Sequence, residues 1–192
     1  MDHINQFFKR LQFSLEKNNF KRSLKPKQIA CMDFLYRGLD VIAVLPTGFG
    51  KSLIYQVLPY LIPVKEKSNI VIVVAPLNSI IEDQINTLKA RGINVDVLHT
   101  ESGGSTEIEK LFNKSVRKVD TETSSDNESG EDDTDTVKIK ISKQIKEGNV
   151  SFIFSHPESL LSKEGRSLLR SEVFQQNVVA VVIDEAHCVE MW

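Results

Sequence analysis

The sequence has 192 residues, of which 41% are hydrophobic and 26% charged. That is enough apolar material for one globular core and excludes a wholly disordered chain. The formal net charge of −2 hides an asymmetry: eight acidic residues and no basic one fall between Asp120 and Asp135, leaving the remainder at +6, a mildly basic body compatible with phosphate binding. The longest apolar runs fall far short of the roughly 18 residues of a membrane span. The N-terminus carries no secretory signal, and Cys31 and Cys188 lie far apart with no C-x-x-C pair. The expected address is therefore a reducing interior, nucleus or cytoplasm, with no membrane partner.

Ile4, Phe7, Phe8, Leu11 and Leu15 recur at helical spacing and predict an amphipathic helix over residues 3–17. A second helix is expected from Lys25-Pro26, where proline suits the first turn, to Arg37, with Gly38 as its stop. Residues 40–45 read as a short buried strand, 46–50 as a turn, and 51–58 as a helix closed off by Pro59 and Pro63. A strand over 69–75, a helix over 78–90 ending at Gly92, and a strand over 93–98 follow. Residues 105–119 read as helical. Residues 120–135 are acidic, rich in Ser and Thr and free of bulky apolar side chains, so burial cannot offset their ordering entropy; they are read as a disordered insertion. Strands at 150–154 and 178–183, with helical material around 158–174 between them, complete the pattern. Near-continuous Val/Ile/Leu strands alternating with helices predict an α/β fold with a mainly parallel sheet covered on both faces.

Leu45-Pro46-Thr47-Gly48-Phe49-Gly50-Lys51-Ser52 lies between an expected strand and an expected helix, the context of a phosphate-binding loop. Glycines let backbone N–H groups turn inward, the helix N-terminus favours an anion, and Lys51 adds a full charge for the β- and γ-phosphates. Ser52 offers a hydroxyl to Mg²⁺. The first position of G-x-x-x-x-G-K-[ST] is Leu45, so the strict pattern fails there while Gly48-x-Gly50-Lys51-Ser52 survives. Taken alone, this segment also reads as a glycine-rich turn with a solvated lysine. A second element argues otherwise: the strand at 178–183 delivers Asp184-Glu185-Ala186-His187. A carboxylate at a strand end is where a phosphate-loop enzyme holds Mg²⁺ (Asp184), and Glu185 then orients or deprotonates the attacking water. The bland alternative is an acidic helix cap with His187 merely exposed.

Asp-Glu-Ala-His after an apolar strand resembles the hydrolysis motif of superfamily 2 helicases, and Cys188 to Trp192 continues it as the RecQ DNA helicases do, towards an aromatic-rich loop. Leu45 to Gln56 is similar to the RecQ phosphate loop and its helix, with Phe49 where that family often has glycine. Leu24-Lys25-Pro26-Lys27-Gln28 resembles the upstream motif that reads adenine, with Phe20 as a nearby aromatic residue. Pro76-Leu77-Asn78-Ser79 through Gln84, and Phe154-Ser155-His156-Pro157-Glu158, resemble two further blocks.

The resemblance implies a RecA-like phosphate-loop domain over residues 20–192, preceded by the helix in 1–19, as the first motor domain of a 3′-to-5′ helicase cut off just after its hydrolysis motif. It implies ATP and Mg²⁺ as cofactors, and DNA, single-stranded or with single-stranded tails, as partner. Lys51 and Glu185 are then catalytic. Lys25 and Gln28 contact adenine, the residues from Pro46 to Ser52 hold phosphates, and Ser52 and Asp184 hold the metal. Lys25 stands where the family often has arginine, which stacks better. Pro76, Asn78, Ser79, Gln84, His156, Pro157, Glu158, His187 and Trp192 touch nucleic acid or couple it to hydrolysis. A second RecA-like domain, which contributes arginines to the transferred charge, is missing from this chain, so the chain alone is not expected to unwind DNA. A non-helicase phosphate-loop ATPase or switch, and a product that binds nucleotide or DNA without turnover, stand as alternatives.

Overall fold

The computed structural model describes residues 2–21, 23–63, 69–100 and 139–187. The helix expected over 105–119, the acidic tract and Trp192 lie outside them. In chain order the elements are α1 (Asp2–Lys17), α2 (Pro26–Tyr36), α3 (Lys51–Gln56), α4 (Leu58–Leu61), β1 (Ile70–Val74), α5 (Asn78–Ala90), β2 (Val95–Thr100) and β3 (Ile139–Lys140). There follow α6 (Lys143–Lys146), β4 (Phe152–Ser155), α7 (Pro157–Leu161), α8 (Lys163–Arg170), α9 (Glu172–Asn177) and β5 (Val178–Ile183). None of the described helices is long and apolar enough to cross a membrane.

The sheet runs β3-β2-β4-β1-β5, with β2, β4, β1 and β5 parallel and the short β3 antiparallel at one edge. β1 is buried along its whole length, as a central parallel strand must be when helices cover both faces. Alternation along the strands divides the core into two layers. Val71, Val73, Val95, Val97, Phe152 and Phe154 pack with α1 to α5, whereas Ile70, Ile72, Val74, Leu98 and Ile153 pack with α6 to α9. On the first layer α1 buries Phe7 and Leu11 and leaves Ile4 and Phe8 exposed, so its apolar stripe is narrower than the sequence pattern suggested. The Ser14 hydroxyl, fully buried, donates to Val57 O at 2.6 Å and ties α1 to the α3–α4 junction.

Four expectations are corrected. Residues 40–45 form no strand, and Ile42 and Val44 are 95% and 88% exposed. A strand exists by its ladder, and no described segment pairs with this one. Nor is β5 buried on both faces: among the described residues it pairs only with β1, and Val181 and Ile183 are 56% and 53% exposed. Pro59 does not end the helix begun at Lys51. The break falls at Val57, and Pro59 sits in the first turn of α4, where its missing N–H is tolerated. The helical stretch around 158–174 is three short helices, divided at Ser162 and Ser171. Both are in extended N-cap geometry, and Ser162 Oγ accepts from Gly165 N at 3.0 Å.

Candidate active site

The parallel strands bring their C-terminal ends to one edge of the sheet. Val74 of β1 is in register with Ser155 of β4 and with Ile183 of β5. The segments that follow these strands, from Pro76, from His156 and from Asp184, therefore emerge side by side, where open α/β sheets bind ligands. Asp184 N donates to Val74 O at 2.9 Å, which carries the ladder one residue beyond β5 and fixes the start of the acidic segment.

The loop before α3 reaches this same edge without a strand of its own to carry it. Gly48 and Gly50 lie at φ +74° and +89°, in the left-handed region. Phe49 between them has no positive φ, so a side chain is accepted at this position. Gln28 anchors the loop from α2. Its Nε2 donates to Phe49 O and Gly50 O, both at 3.1 Å, while its Oε1 accepts from Lys25 N at 2.8 Å, the backward half of a capping box. The Lys25 ammonium lies 4.1 Å from the centre of the Phe49 ring, a cation–π contact. Both residues assigned to adenine by resemblance are thus turned onto the phosphate loop, and Gln28 is only 4% exposed.

Two contacts join the loop to β5. Lys51 Nζ lies 4.0 Å from Glu185 Oε1, and Glu185 Oε2 lies 3.2 Å from His187 Nδ1. Tyr55, one turn after Lys51, donates its hydroxyl to Asp184 Oδ2 at 3.2 Å across 129 residues of sequence. Asp184 Oδ1 accepts from Glu185 N at 3.0 Å. Ser52 sits on the same helix, three residues before Tyr55. Burial, followed by the charge of Asp184, pushes the Tyr55 phenol well above its ordinary pKa, so it stays a donor. Glu185 holds φ +53°, an unfavourable region for a side chain with a Cβ and one where functional sites concentrate strain.

The hard oxygen donors Ser52 and Asp184 suit Mg²⁺. Among the described residues no cluster of three or more His, Cys, Asp and Glu could hold a metal ion by itself. Mg²⁺ takes one or two protein oxygens and completes its shell with water and phosphate oxygens.

The other two segments meet through side chains. His156 Nε2 lies 2.6 Å from Asn78 Oδ1, and Asn78 and Ser79 are exposed at the start of α5. Pro157 is buried at the start of α7 with Glu158 exposed beside it. Gln84 turns inward, where its Oε1 accepts from Gln56 Nε2 at 2.7 Å. Gln56 Oε1 in turn accepts from Arg91 at 3.0 Å. Tyr55 and Gln56 were not anticipated from sequence. The available signal was spacing, because Tyr55 is four residues after Lys51 and shares its helix face.

A model of the DEAD/DEAH box helicase family matches residues 25–192. This chain belongs to that family. The helicase domain is 31% identical over 170 residues to the "ATP-dependent DNA helicase Q-like 5" of Arabidopsis thaliana, covering 88% of this chain and 14% of the relative. It is 29% identical over 171 residues to the "ATP-dependent helicase wrn-1" of Caenorhabditis elegans, covering 89% and 12%. It is 27% identical over 161 residues to the "ATP-dependent DNA helicase RecQ" of a Synechocystis strain, covering 84% and 26%. The chain thus spans between about an eighth and a quarter of the length of these RecQ-type relatives.

Proposed function

We propose that the helicase domain binds ATP with Mg²⁺ and forms the ATP-binding part of the motor of a RecQ-like 3′-to-5′ DNA helicase. The observation that carries this reading is the meeting of Lys51 with Glu185, and of Tyr55 with Asp184, at one sheet edge. Lys51 would leave Glu185 for the β- and γ-phosphates, a charge-assisted contact stronger than the exposed ion pair it replaces. Glu185, released from Lys51, accepts a proton from the attacking water, with His187 beside it to hold its second oxygen. Ser52 and Asp184 would hold Mg²⁺, which supplies charge neutralisation on the phosphate oxygens. To read adenine, Gln28 would exchange its three backbone hydrogen bonds for the base, so nucleotide entry and loop geometry are linked through one amide. The Asn78–His156 pair, with Ser79 and the start of α7, offers polar groups suited to DNA phosphates.

Transfer of the phosphoryl group calls for arginines from a second motor domain, whose absence commonly costs about 10³–10⁵ in rate. An ATPase assay with and without single-stranded DNA tests the reading, on residues 1–192 and on a chain extended by a second motor domain. Very low turnover and no unwinding are expected from the first, and DNA-stimulated turnover from the second. Robust DNA-stimulated turnover by residues 1–192 would contradict the assigned need for a second domain. Nucleotide binding without turnover in the extended chain would favour a binding-only role.

A further inference from the structure

We propose that Tyr55 is a positioning residue for the metal-binding side of this site, holding Asp184 against the helix that carries Ser52, in the relation that Mg²⁺ requires; this rests on the reading of Ser52 and Asp184 as its protein ligands. Tyr55 is 5% exposed and belongs to the same buried cluster as Leu53, Ile54 and Leu58. The ring position is therefore set by packing that does not involve the nucleotide. Only the hydroxyl reaches the site, where it donates to Asp184 Oδ2 at 3.2 Å, while Ser52 lies three residues earlier on the same helix.

The need for such a brace follows from the local architecture. Ser52 is carried by α3, and the loop before it is not anchored in the sheet, since residues 40–45 form no strand. Asp184 is carried by the end of β5, paired on one side only among the described residues. Lys51 and Glu185 also bridge these elements, but their 4.0 Å pair is one-third and one-quarter exposed and must open when phosphate arrives. The Tyr55 contact is made by a residue that is only 5% exposed. Asp184 keeps capacity for a cation while held: one bond to Tyr55 falls on Oδ2 and one to the Glu185 N–H on Oδ1, leaving a further acceptor site on each oxygen. Partners that hold a metal ligand in place in this way are worth about 10- to 100-fold in metal affinity.

Tyr55→Phe removes the hydroxyl and keeps the packed ring. The experiment measures binding of a fluorescent ATP analogue to the full 192-residue chain, first without divalent cation and then across a Mg²⁺ titration. For Tyr55→Phe the half-saturating Mg²⁺ should rise about tenfold, while cation-free binding of the analogue and the melting temperature stay near those of the unaltered chain. An unchanged or lowered half-saturating Mg²⁺ would overturn the proposal, the latter because it would mean that the hydroxyl only competes with the cation. A parallel loss of cation-free binding would overturn it too, by showing a structural role. Lys51→Ala serves as the control and should lose the analogue with and without Mg²⁺. Failure of the unaltered chain to bind the analogue would overturn the reading of the site itself, and the inference with it.

Discussion

At Gly50 the backbone sits at φ +89°, and a Cβ built there would meet Gln28 Nε2 at 2.7 Å. Gly48 is at φ +74° with nothing within 4 Å of the same construction. The two glycines therefore separate strain from crowding. Gly48→Ala should cost only the left-handed penalty, about 1–2 kcal/mol, with nucleotide affinity largely kept. Gly50→Ala adds a collision with the amide that anchors the loop, so it should lower both the melting temperature and nucleotide affinity more than Gly48→Ala does. Equal effects in calorimetry and nucleotide titration would show that Gln28 does not set the loop. Tyr55 gives a residue-scale prediction in pH. Burial and Asp184 raise its phenol above the ordinary value of 10.0, so its titration leaves stability unchanged below pH 10 and lowers it as pH climbs towards the raised folded-state value. Denaturant titrations between pH 9 and 11.5 should show stability falling above pH 10, with a shallower fall in Tyr55→Phe; identical slopes would contradict the burial argument.

Among elements, the segment over 40–45 and β5 share one condition. Each is rich in Val and Ile, and each lacks a ladder partner on at least one side. Unpaired apolar edges template association. Ile42→Lys with Val44→Lys should leave monomer stability within about 0.5 kcal/mol, since the side chains already face solvent. The same pair should reduce self-association measured by sedimentation at rising concentration. A large loss of stability would mean that the segment is packed in solution.

These elements also mark how far the sequence could be read. The central strand at 70–74, the helix over 78–90 and the Asp184–His187 turn were legible because each is decided locally, by a continuous β-branched run, by helical periodicity, or by a polar sequence closing a strand. The strand expected over 40–45 had the same local signal, but pairing is a property of neighbours and no spacing rule reports it. The short β3 and α6 are too brief to show periodicity; Ser142 Oγ accepting from Ile145 N fixes the start of α6. Gln28 stood out in the sequence through its motif, whereas its bonds to the backbone at Phe49 and Gly50 depend on how α2 lies against α3.

In the whole molecule, helices on one face carry the Gly48–Lys51 loop and strands deliver the carboxylates, and Lys51 and Tyr55 meet Glu185 and Asp184 at the sheet edge. The chain order that separates Tyr55 from Asp184 by 129 residues brings them within 3.2 Å of each other, because parallel strands joined by crossovers end on the same side. The most direct test is equilibrium binding of ATP with Mg²⁺ to residues 1–192, comparing the unaltered chain with Lys51→Ala and Glu185→Gln. Lys51→Ala should weaken binding by at least about tenfold, the size of a lost charge-assisted contact of roughly 1.5–3 kcal/mol. Glu185→Gln should stay within about threefold of the unaltered chain, because it removes the acceptor for water and leaves Lys51, Ser52 and Asp184 in place. Equal affinity in all three chains, or equal loss in both variants, would contradict the assignment of these two residues to binding and to hydrolysis.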